Sequence, residues 1–405
     1  MKKSFLIAGV GIALIVIVGA LIFIIFFMGK GEPAETPGPA FGTSDESYVE
    51  NGEPLPLGQV GEGQAGEEVA PKLIKITSGP VSFGSVAFPV GIPGASSTDP
   101  VSYDTEIRFQ ERSSGNIYAY RVGERTLARI SNRTLPGVYE TSWVSDGSLA
   151  YSRFLSETDG KETIETYVLP VGESEGGYFL EPGLSEVSVQ GTTSVVTLLP
   201  STSGSIATLA APDGTNVKTL FSSPLSALHI FFSGNNLVAS TKASAHTNGY
   251  AYFVSKTAGT FERFAGPLRG LAALPSPKGT YAFYTYLSGN TLRSELITAS
   301  DRIPVSIPLG TLAEKCAWTP DETSIYCAVP RSIEGALPDD WYQGAVSFSD
   351  RIWRVSLDGR IAALIVDPKT VGDVDIDAVN LTIDARADVL VFTNKKDGSL
   401  WSYDI

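Results

Sequence analysis

The stretch that best indicates how this chain folds is WTPDETSIY at residues 318–326, in which an apolar strand end, a polar turn and a new apolar strand follow one another. The same arrangement occurs in LPSPKGTYAF at 274–283, in WVSDGSLAY at 143–151 and in IDARADVLV at 383–391. The step from 274 to 318 is 44 residues, the step from 143 to 274 is 131, and the step from 318 to 383 is 65. These are one repeat, three repeats, and one repeat with an insertion. Short strands that repeat every ~40–45 residues predict a β-propeller.

The repeat predicts an all-β body of seven four-stranded blades. The seven units begin near the following residues: Val81, Gly137, Leu184, Leu225, Leu268, Leu312 and Asp375. The last unit has only three strands, so we expect residues 73–77 to supply the fourth strand and close the ring, because an open sheet edge invites pairing with other chains. Six or eight blades remain alternatives, since the turn signals within 174–200 and 225–265 are weak.

Composition and charge exclude some classes of partner. The 405 residues include 41 glycines and 25 prolines, as expected of a turn-rich β protein, and the formal charge is −14. Residues 1–30 carry +3 and residues 31–71 carry −9, which leaves −8 for residues 72–405. We therefore expect no nucleic-acid partner, because phosphate binding requires a basic surface.

The N-terminal region predicts a membrane anchor. Residues 4–29 contain no charged side chain and are long enough to span a bilayer as a helix. Lys2 and Lys3 precede this span, so the positive-inside bias places the N-terminus in the cytoplasm and the rest of the chain outside the membrane. We expect a single-pass protein, with residues 1–30 forming a cytoplasmic stub and anchor.

Residues 31–71 predict a spacer between the anchor and the folded body. The segment is rich in proline, glycine and acidic residues and has few large apolar side chains. Such a composition cannot offset the entropy cost of folding, so we expect a disordered, self-repelling linker. An acidic tail that binds a partner is the alternative. The predicted organisation is therefore an anchor at 1–30, a linker at 31–71 and a propeller at 72–405.

The repeated turns resemble a known family. The turns at 274–283 and 318–326, with the Tyr- and Phe-rich strands that follow them and the Asp-Gly hairpins at Asp213 and Asp358, resemble the WD-repeat-like units of TolB-type propellers. They also resemble the propeller of prolyl oligopeptidase relatives. The resemblance covers about residues 80–405 and implies the fold. The catalytic α/β domain of those hydrolases, with its Gly-x-Ser-x-Gly motif, is absent from this sequence, so their activity does not carry over.

Sequence motifs indicate no catalytic residue and no cofactor. The only histidines are His229 and His246, and neither lies in a nucleophile or metal motif. His229 falls within the apolar stretch LHIFF at 228–232, which predicts an ordinary strand histidine. Two histidines and two cysteines without ligand spacing argue against zinc.

The two cysteines are placed for a cross-strand pair. If residues 320–323 form a hairpin loop, Thr319 faces Ser324 and the register sets Cys316 directly opposite Cys327. An extracytoplasmic location permits a disulfide between them. Two buried thiols are an equally open alternative, and either role is structural.

Four aspartates have the spacing of acidic residues in a calcium-binding loop. Asp373, Asp375, Asp377 and Asp384 occupy positions 1, 3, 5 and 12 of a twelve-residue window. Position 6 is Ala378, where such a loop needs glycine for its sharp turn. We therefore favour a connection into an inner strand and expect no metal, with calcium as the weaker alternative.

The insertion in the sixth unit is the preferred binding candidate. Residues 330–350 add about 21 residues between two strands and include Asp339, Asp340, Trp341, Tyr342 and Gln343. Long loops on rigid scaffolds often carry function, and Trp and Tyr are favoured at interfaces. A connection between the second and third strands of a blade opens on the face of the central channel. The alternative is that Trp341 and Tyr342 fold back as a lid over the blade.

These observations predict a membrane-tethered, extracytoplasmic scaffold of the cell envelope that binds an envelope protein or a peptide. The alternative is a propeller-type hydrolase or lyase that acts on surface glycans. The side chains around the central channel distinguish the two hypotheses. Two or three close carboxylates with an arginine favour an enzyme, whereas apolar and hydroxyl side chains argue against one.

Overall fold

The structure, a computed structural model, describes residues 72–92, 102–158, 160–172, 176–358 and 360–405. All of these belong to one compact unit of the chain, residues 50–405. The predicted anchor at 4–29 and the linker at 31–71 lie outside the described residues and remain predictions. Within the described ranges, no helix has the length and hydrophobicity needed to cross a bilayer.

Strands form most of the described structure. The first fourteen are β1 (Leu73–Lys75), β2 (Val86–Ile92), β3 (Ser102–Gln110), β4 (Ile117–Arg121), β5 (Thr126–Arg129), β6 (Val138–Trp143), β7 (Leu149–Thr158), β8 (Lys161–Pro170), β9 (Tyr178–Phe179), β10 (Glu186–Gln190), β11 (Ser194–Ser201), β12 (Gly204–Ala210), β13 (Lys218–Ser223) and β14 (Leu228–Ser233). The others are β15 (Asn236–Thr241), β16 (Asn248–Ser255), β17 (Phe261–Pro275), β18 (Tyr281–Ser288), β19 (Thr291–Thr298), β20 (Val305–Ile307), β21 (Cys316–Trp318), β22 (Ser324–Pro330), β23 (Asp350–Ser356), β24 (Ile361–Val366), β25 (Ala378–Ile383), β26 (Val389–Asn394) and β27 (Leu400–Asp404). The short helices are α1 (Asp339–Tyr342), α2 (Pro368–Gly372) and a 3-10 turn at Ala313–Lys315. The all-β prediction is confirmed.

The strands form antiparallel sheets in chain order. Five sheets have four strands each, and one sheet has seven, β14 to β20. Strand β17 is 15 residues long, and it pairs with β16 through its first part and with β18 through its last part. Dividing this sheet at β17 yields seven four-stranded units: β2–β5, β6–β9, β10–β13, β14–β17, β17–β20, β21–β24, and β25–β27 with β1. We number these units one to seven.

The seventh unit combines both ends of the described chain. β1 pairs antiparallel with β27, with Leu73 opposite Tyr403 and Lys75 opposite Trp401. The pairing continues where the Ile76 N–H donates to the Leu400 carbonyl at 2.8 Å. Leu73 and Trp401 are both buried, so β1 covers the outer edge of β27 with an apolar contact as well as with hydrogen bonds.

The first strands of neighbouring units run side by side. In units one and two, the Phe83 N–H donates to the Tyr139 carbonyl at 2.9 Å and the Thr141 N–H donates to the Phe83 carbonyl at 2.7 Å. These bonds form a parallel bridge between Phe83 and Glu140. Side chains at the starts of these strands are therefore brought together across unit boundaries.

Aspartates in two hairpin turns share one hydrogen-bond pattern. Between β12 and β13, Asp213 accepts the N–H of Thr215 at 2.9 Å and its hydroxyl at 2.6 Å. Between β21 and β22, Asp321 accepts the N–H of Thr323 at 3.0 Å and the hydroxyl of Thr319 at 2.6 Å. These hydrogen bonds hold the pKa of both carboxyls below the usual range. An Asp that bonds the backbone two residues ahead stabilises a turn.

Candidate functional site

A cavity of about 530 Å³ lies where six of the seven units meet. Its walls come from the second to the seventh unit. The second unit contributes β6, β7 and β8, and the third contributes the start of β10. The others contribute β14 and the residue after β15, the last part of β17, the 3-10 turn with β21, and β25. The charged side chains in its lining are Glu140, Arg153, Glu186, His229, Lys242 and Glu314. We call this space the main compartment.

Glu140 and Arg153 form a pair at one wall. The guanidinium donates to Glu140 Oε2 at 2.5 Å through Nη1 and to the Leu184 carbonyl at 2.7 Å through Nη2. Arg153 is buried, whereas the Glu140 side chain is 38% exposed and so remains accessible from the cavity. Burial raises the pKa of Glu140, Arg153 opposes that shift, and the charge of Glu186 adds to it.

Glu186 and His229 form the second pair. His229 Nδ1 lies 3.0 Å from Glu186 Oε1, and Lys242 Nζ lies 3.9 Å from the same oxygen. Burial by itself lowers the pKa of His229, but the hydrogen bond and charge of Glu186 outweigh it, so the pKa is raised. His229 lies in β14, as the apolar pattern predicts, yet its ring lines the cavity.

A second, mostly apolar space of about 310 Å³ adjoins the first. The residues that line both compartments are His229, Phe231, Lys242, Ala273 and Glu314. The second space adds small or aromatic walls from Ala243, Ala272 and Tyr342. We call it the side compartment. The two spaces together place charged groups and an apolar recess within one continuous site.

The insertion between β22 and β23 supplies one wall of this site. It forms α1, and Tyr342 at the end of α1 donates its hydroxyl hydrogen to Glu314 Oε1. Asp339 accepts the N–H of Ala245 at 2.5 Å, which ties the insertion to the fourth unit. Asp340 accepts the N–H of Ala336 at 2.7 Å and so stabilises the turn into α1. Gln343, next along the chain, is exposed.

Trp341 differs from its expected role as an exposed anchor. Its side chain is buried, with the residue only 4% exposed, and its indole N–H donates to Asp377 at 3.0 Å. It also stacks on Phe348 with the ring centres 6.2 Å apart. The indole is therefore not available to a partner, because the insertion packs onto the units beneath it. Of the two aromatic side chains, only Tyr342 reaches the cavity wall.

A buried ionic cluster holds the insertion in place. Lys315 Nζ lies 2.5 Å from Asp377 Oδ1 and 2.8 Å from Asp350 Oδ2, and all three side chains are fully buried. The ammonium also lies 5.0 Å from the Trp341 ring centre. Burial raises the pKa of Asp350 to about 6, although Lys315 opposes the shift. Two carboxylates share one lysine here, so the lysine is essential to the charge balance.

The four aspartates of the calcium alternative have separate partners. Asp377 binds Lys315, and Asp375 accepts the Ser349 hydroxyl at 2.8 Å. Asp373 is 88% exposed beside Lys369, while Asp384 is buried and accepts the N–H groups of its own turn. Among the residues described, no three histidine, cysteine or acidic side chains are grouped as a metal site requires. The calcium alternative therefore finds no support in this geometry.

Cys316 and Cys327 are paired across β21 and β22 and joined by a disulfide. Cys316 also lines the main compartment. The bond thus braces the first strand of the sixth unit, next to Lys315 and Glu314.

Removing this disulfide should destabilise the fold moderately. The bond closes a loop with a sequence separation of 11 residues, and loops of that size stabilise a fold by about 3 kcal/mol through the unfolded chain. We expect Cys316→Ser with Cys327→Ser to lower the free energy of unfolding by about that amount. Urea denaturation with and without reductant measures it. A reductant effect on the natural chain that the double variant retains would contradict the assignment.

The pKa of His229 should be measurably raised. NMR titration should place it above the usual value of about 6.5, and Glu186→Gln should bring it down. Because the folded pKa is raised, the stability from this pair is fully present below about pH 6.5 and is lost as pH rises through the folded pKa. The natural chain should therefore lose stability relative to Glu186→Gln as the pH rises from about 6 to 8. His246→Gln, at an exposed position, assigns the two resonances. Equal pKa values in the natural chain and Glu186→Gln would exclude the pair.

Sequence motifs did not reveal the charged residues of the cavity, although the repeat spacing could have grouped three of them. Glu140, Glu186 and His229 follow one another at steps of 46 and 43 residues, close to the repeat length. They lie at or near the start of the first strand in three successive units. Aligning the units by the repeat length therefore places these three residues at equivalent positions of their units. Arg153, Lys242 and Glu314 have no such signal, because they lie on other strands or in turns.

Comparison with known proteins supports the fold. No family model matches the chain, and no curated protein matches it. Among solved structures, an oligogalacturonate lyase from Vibrio parahaemolyticus has a TM-score of 0.55 at 8% identity, covering 84% of this chain and 94% of the lyase. An oligogalacturonate lyase in complex with manganese has a TM-score of 0.51 at 7% identity, covering 80% and 98%. TolB from Acinetobacter baumannii has a TM-score of 0.43 at 10% identity, covering 69% and 78%.

The two lyases have propeller-type folds, and the chain is similar to them in fold alone, because the identities are too low to carry activity across. The propeller-type class is thus supported. The membrane anchor, the WD-repeat likeness and the envelope location remain predictions.

Proposed function

We propose that this protein is a seven-bladed β-propeller, tethered outside the cytoplasmic membrane, that binds a ligand or an envelope protein at its central cavity. The seven four-stranded units and the pairing of β1 with β27 support a ring closed by its N-terminal strand. The parallel bridge between Phe83, which precedes β2, and Glu140 of β6 supports a radial arrangement of units one and two. The apolar segment at 4–29 and the acidic segment at 31–71 would supply the tether and the spacer.

The observation that best supports a binding role is the size and lining of the two adjoining compartments. Volumes of about 530 and 310 Å³ fall within the range of ~300–1,000 Å³ that small-molecule sites occupy. Three charged side chains line both compartments, and the side compartment adds small and aromatic walls. The insertion that carries Tyr342 is fixed to the fourth, sixth and seventh units by hydrogen bonds from Ala245, Tyr342 and Trp341. A rigid wall with one partly exposed aromatic ring suits recognition.

The pairing of charges favours binding over catalysis. Glu140 is already bonded to Arg153, and Glu186 is bonded to His229. Groups that neutralise each other orient a ligand through their remaining hydrogen-bonding positions. Arg153 also stabilises the charged form of Glu140, which opposes a role for Glu140 as a proton donor.

A specific observation keeps glycan hydrolysis or elimination as a second candidate function. The main compartment holds three glutamates and an arginine, the combination that favours an enzyme. Burial raises the pKa of Glu140, as suits a general acid at neutral pH. Glu186 lies close enough for its charge to act on Glu140.

Affinity capture tests the binding role. The full chain in mild detergent is used as bait against native envelope extract, beside Tyr342→Ala and Glu140→Gln, with the exposed Glu334→Gln as the matched control. We expect one partner that the natural chain and the control retain and the two cavity variants lose. Retention by all four baits would place binding elsewhere. In parallel, envelope glycans are incubated with the natural chain, and new reducing or unsaturated ends that disappear in Glu140→Gln would establish the enzyme instead.

A further inference from the structure

We infer that the cavity selects a ligand with a cationic amino group beside an apolar group, the cation at Glu314 and the apolar group in the side compartment. This inference rests on the proposed binding function of the same cavity and adds the chemistry of what it binds.

The first argument is the distribution of charge among the three glutamates. Glu140 has Arg153 as its partner, and Glu186 has both His229 and Lys242. Among the described residues, Glu314 has no cationic side chain within ion-pair distance; only the Tyr342 hydroxyl donates to it, at Oε1. One carboxylate of the site therefore has no direct ion-pair partner, although its charge helps to raise the pKa of His229, and a cationic ligand would supply that partner.

The second argument is an unmet hydrogen-bond acceptor. Glu314 Oε2 is shielded from solvent and has no hydrogen-bond partner in the described structure. Buried polar atoms are nearly always bonded, and a carboxylate oxygen without a donor is unfavourable. An ammonium group satisfies both the charge and the acceptor through one short bond. Glu314 lines both compartments, so the cation would lie at their junction.

The third argument concerns what lies beside Glu314. Phe231, Ala272 and the Tyr342 ring line the side compartment together with Glu314. The Tyr342 residue is 42% exposed, so part of its ring is open to contact with a ligand. An aliphatic or aromatic side chain next to an amino group would fill this recess while the amino group reaches Glu314.

An anionic ligand fits the site less well. Arg153 is the only arginine among the described lining residues, and each of its terminal nitrogens already donates one bond, to Glu140 and to the Leu184 carbonyl. Its side chain is only 5% exposed, so little of the two-pronged donor set that binds carboxylates and phosphates faces a ligand. Lys242 already faces Glu186. The chain as a whole carries a charge of −14, which attracts cations and repels anions.

Matched probes test the inference on the full chain in mild detergent by isothermal titration calorimetry. Leucine amide carries the cation, N-acetyl-leucine amide is neutral, and N-acetyl-leucine is an anion with the same side chain. We expect leucine amide to bind at least about tenfold more tightly than either acetylated probe. Two more probes then show which kind of molecule supplies the cationic amino group beside an apolar group. Isopentylamine represents a small amine, and a peptide with a free N-terminal leucine represents a peptide N-terminus.

Variants locate the cation. Glu314→Gln should remove the preference for leucine amide, whereas the exposed Glu334→Gln should leave it unchanged. Tyr342→Phe keeps the apolar wall and removes the hydroxyl from Glu314, so it should bind leucine amide at least as tightly as the natural chain. Lys242→Met removes a like charge and should also tighten binding. Thermal unfolding of each variant checks that the fold is retained.

The outcomes separate the inference from the function on which it rests. If the neutral or anionic probe binds as well as leucine amide and Tyr342→Ala weakens it, the cavity binds a ligand but the cationic preference is wrong. If no probe binds while envelope capture still depends on Tyr342, the inference fails and the binding role stands. If both experiments fail, both are wrong.

Discussion

Replacing Lys315 with methionine should destabilise the fold by about 3–5 kcal/mol, because it leaves two buried carboxylates without their cation. Lys315 is fully buried and lies within 2.8 Å of both Asp377 and Asp350. Methionine fills nearly the same volume, so the change removes charge with little change in packing. Urea denaturation of the full chain in mild detergent, followed by tryptophan fluorescence, measures the loss.

Two further variants show whether charge is the cause. Lys369→Met removes a lysine from the exposed pair with Asp373 and should leave stability nearly unchanged, because solvent screens that pair. Adding Asp350→Asn and Asp377→Asn to Lys315→Met should recover part of the stability, since no unpaired charge then remains buried. A loss below about 1 kcal/mol in Lys315→Met would show that water or another cation reaches the cluster.

Removing β1 should prevent the chain from remaining a folded monomer. A chain that begins at residue 78 lacks the strand that covers β27, whereas a chain that begins at residue 72 keeps it. Leu73, Ile74 and Ile76 are all buried, and burial of such side chains is worth about 1.5–3 kcal/mol each. The loss is comparable with the whole stability of a typical domain, about 5–15 kcal/mol.

The shorter chain should therefore aggregate or melt far below the longer one. Size-exclusion chromatography and thermal unfolding of the two chains give the result. The exposed edge of β27 is an added hazard, because its unpaired N–H and C=O groups can pair with another molecule. A chain that begins at residue 78 and remains monomeric with the same melting temperature would show that β1 is not needed for closure.

Local signals were sufficient for the fold class. In the repeated turns at 143–151 and 318–326, Asp146 and Asp321 each bond the backbone two residues ahead, which is a property of a few adjacent residues. Alternation of apolar residues predicts strands for the same reason. Counting along the hairpin places Cys316 opposite Cys327, and the structure pairs the same two residues.

Contacts between residues distant in sequence could not be predicted from these local patterns. Asp377 looks like a member of an acidic run in the sequence, but it is fully buried against Lys315, 62 residues earlier in the chain. Trp341 looks like an exposed aromatic anchor, but its indole bonds that same Asp377, 36 residues later. Neither partner is adjacent in sequence, so neither contact could be found without the packing of the sixth and seventh units.

The all-β class, the repeat and the positions of its turns follow from the amino-acid sequence, because each depends on interactions among residues a few positions apart. The sequence also carries the predictions of an anchor at 4–29 and a spacer at 31–71. Which charged side chains share the cavity, and which are buried as structural pairs, became known from the packing of the units. Glu140, Glu186 and Glu314 lie on three different units, and only packing of those units around one cavity brings them together. Glu140 and Glu186 each have a cationic partner in the cavity. Among the described residues, Glu314 has only the Tyr342 hydroxyl as a donor and no cation within ion-pair distance.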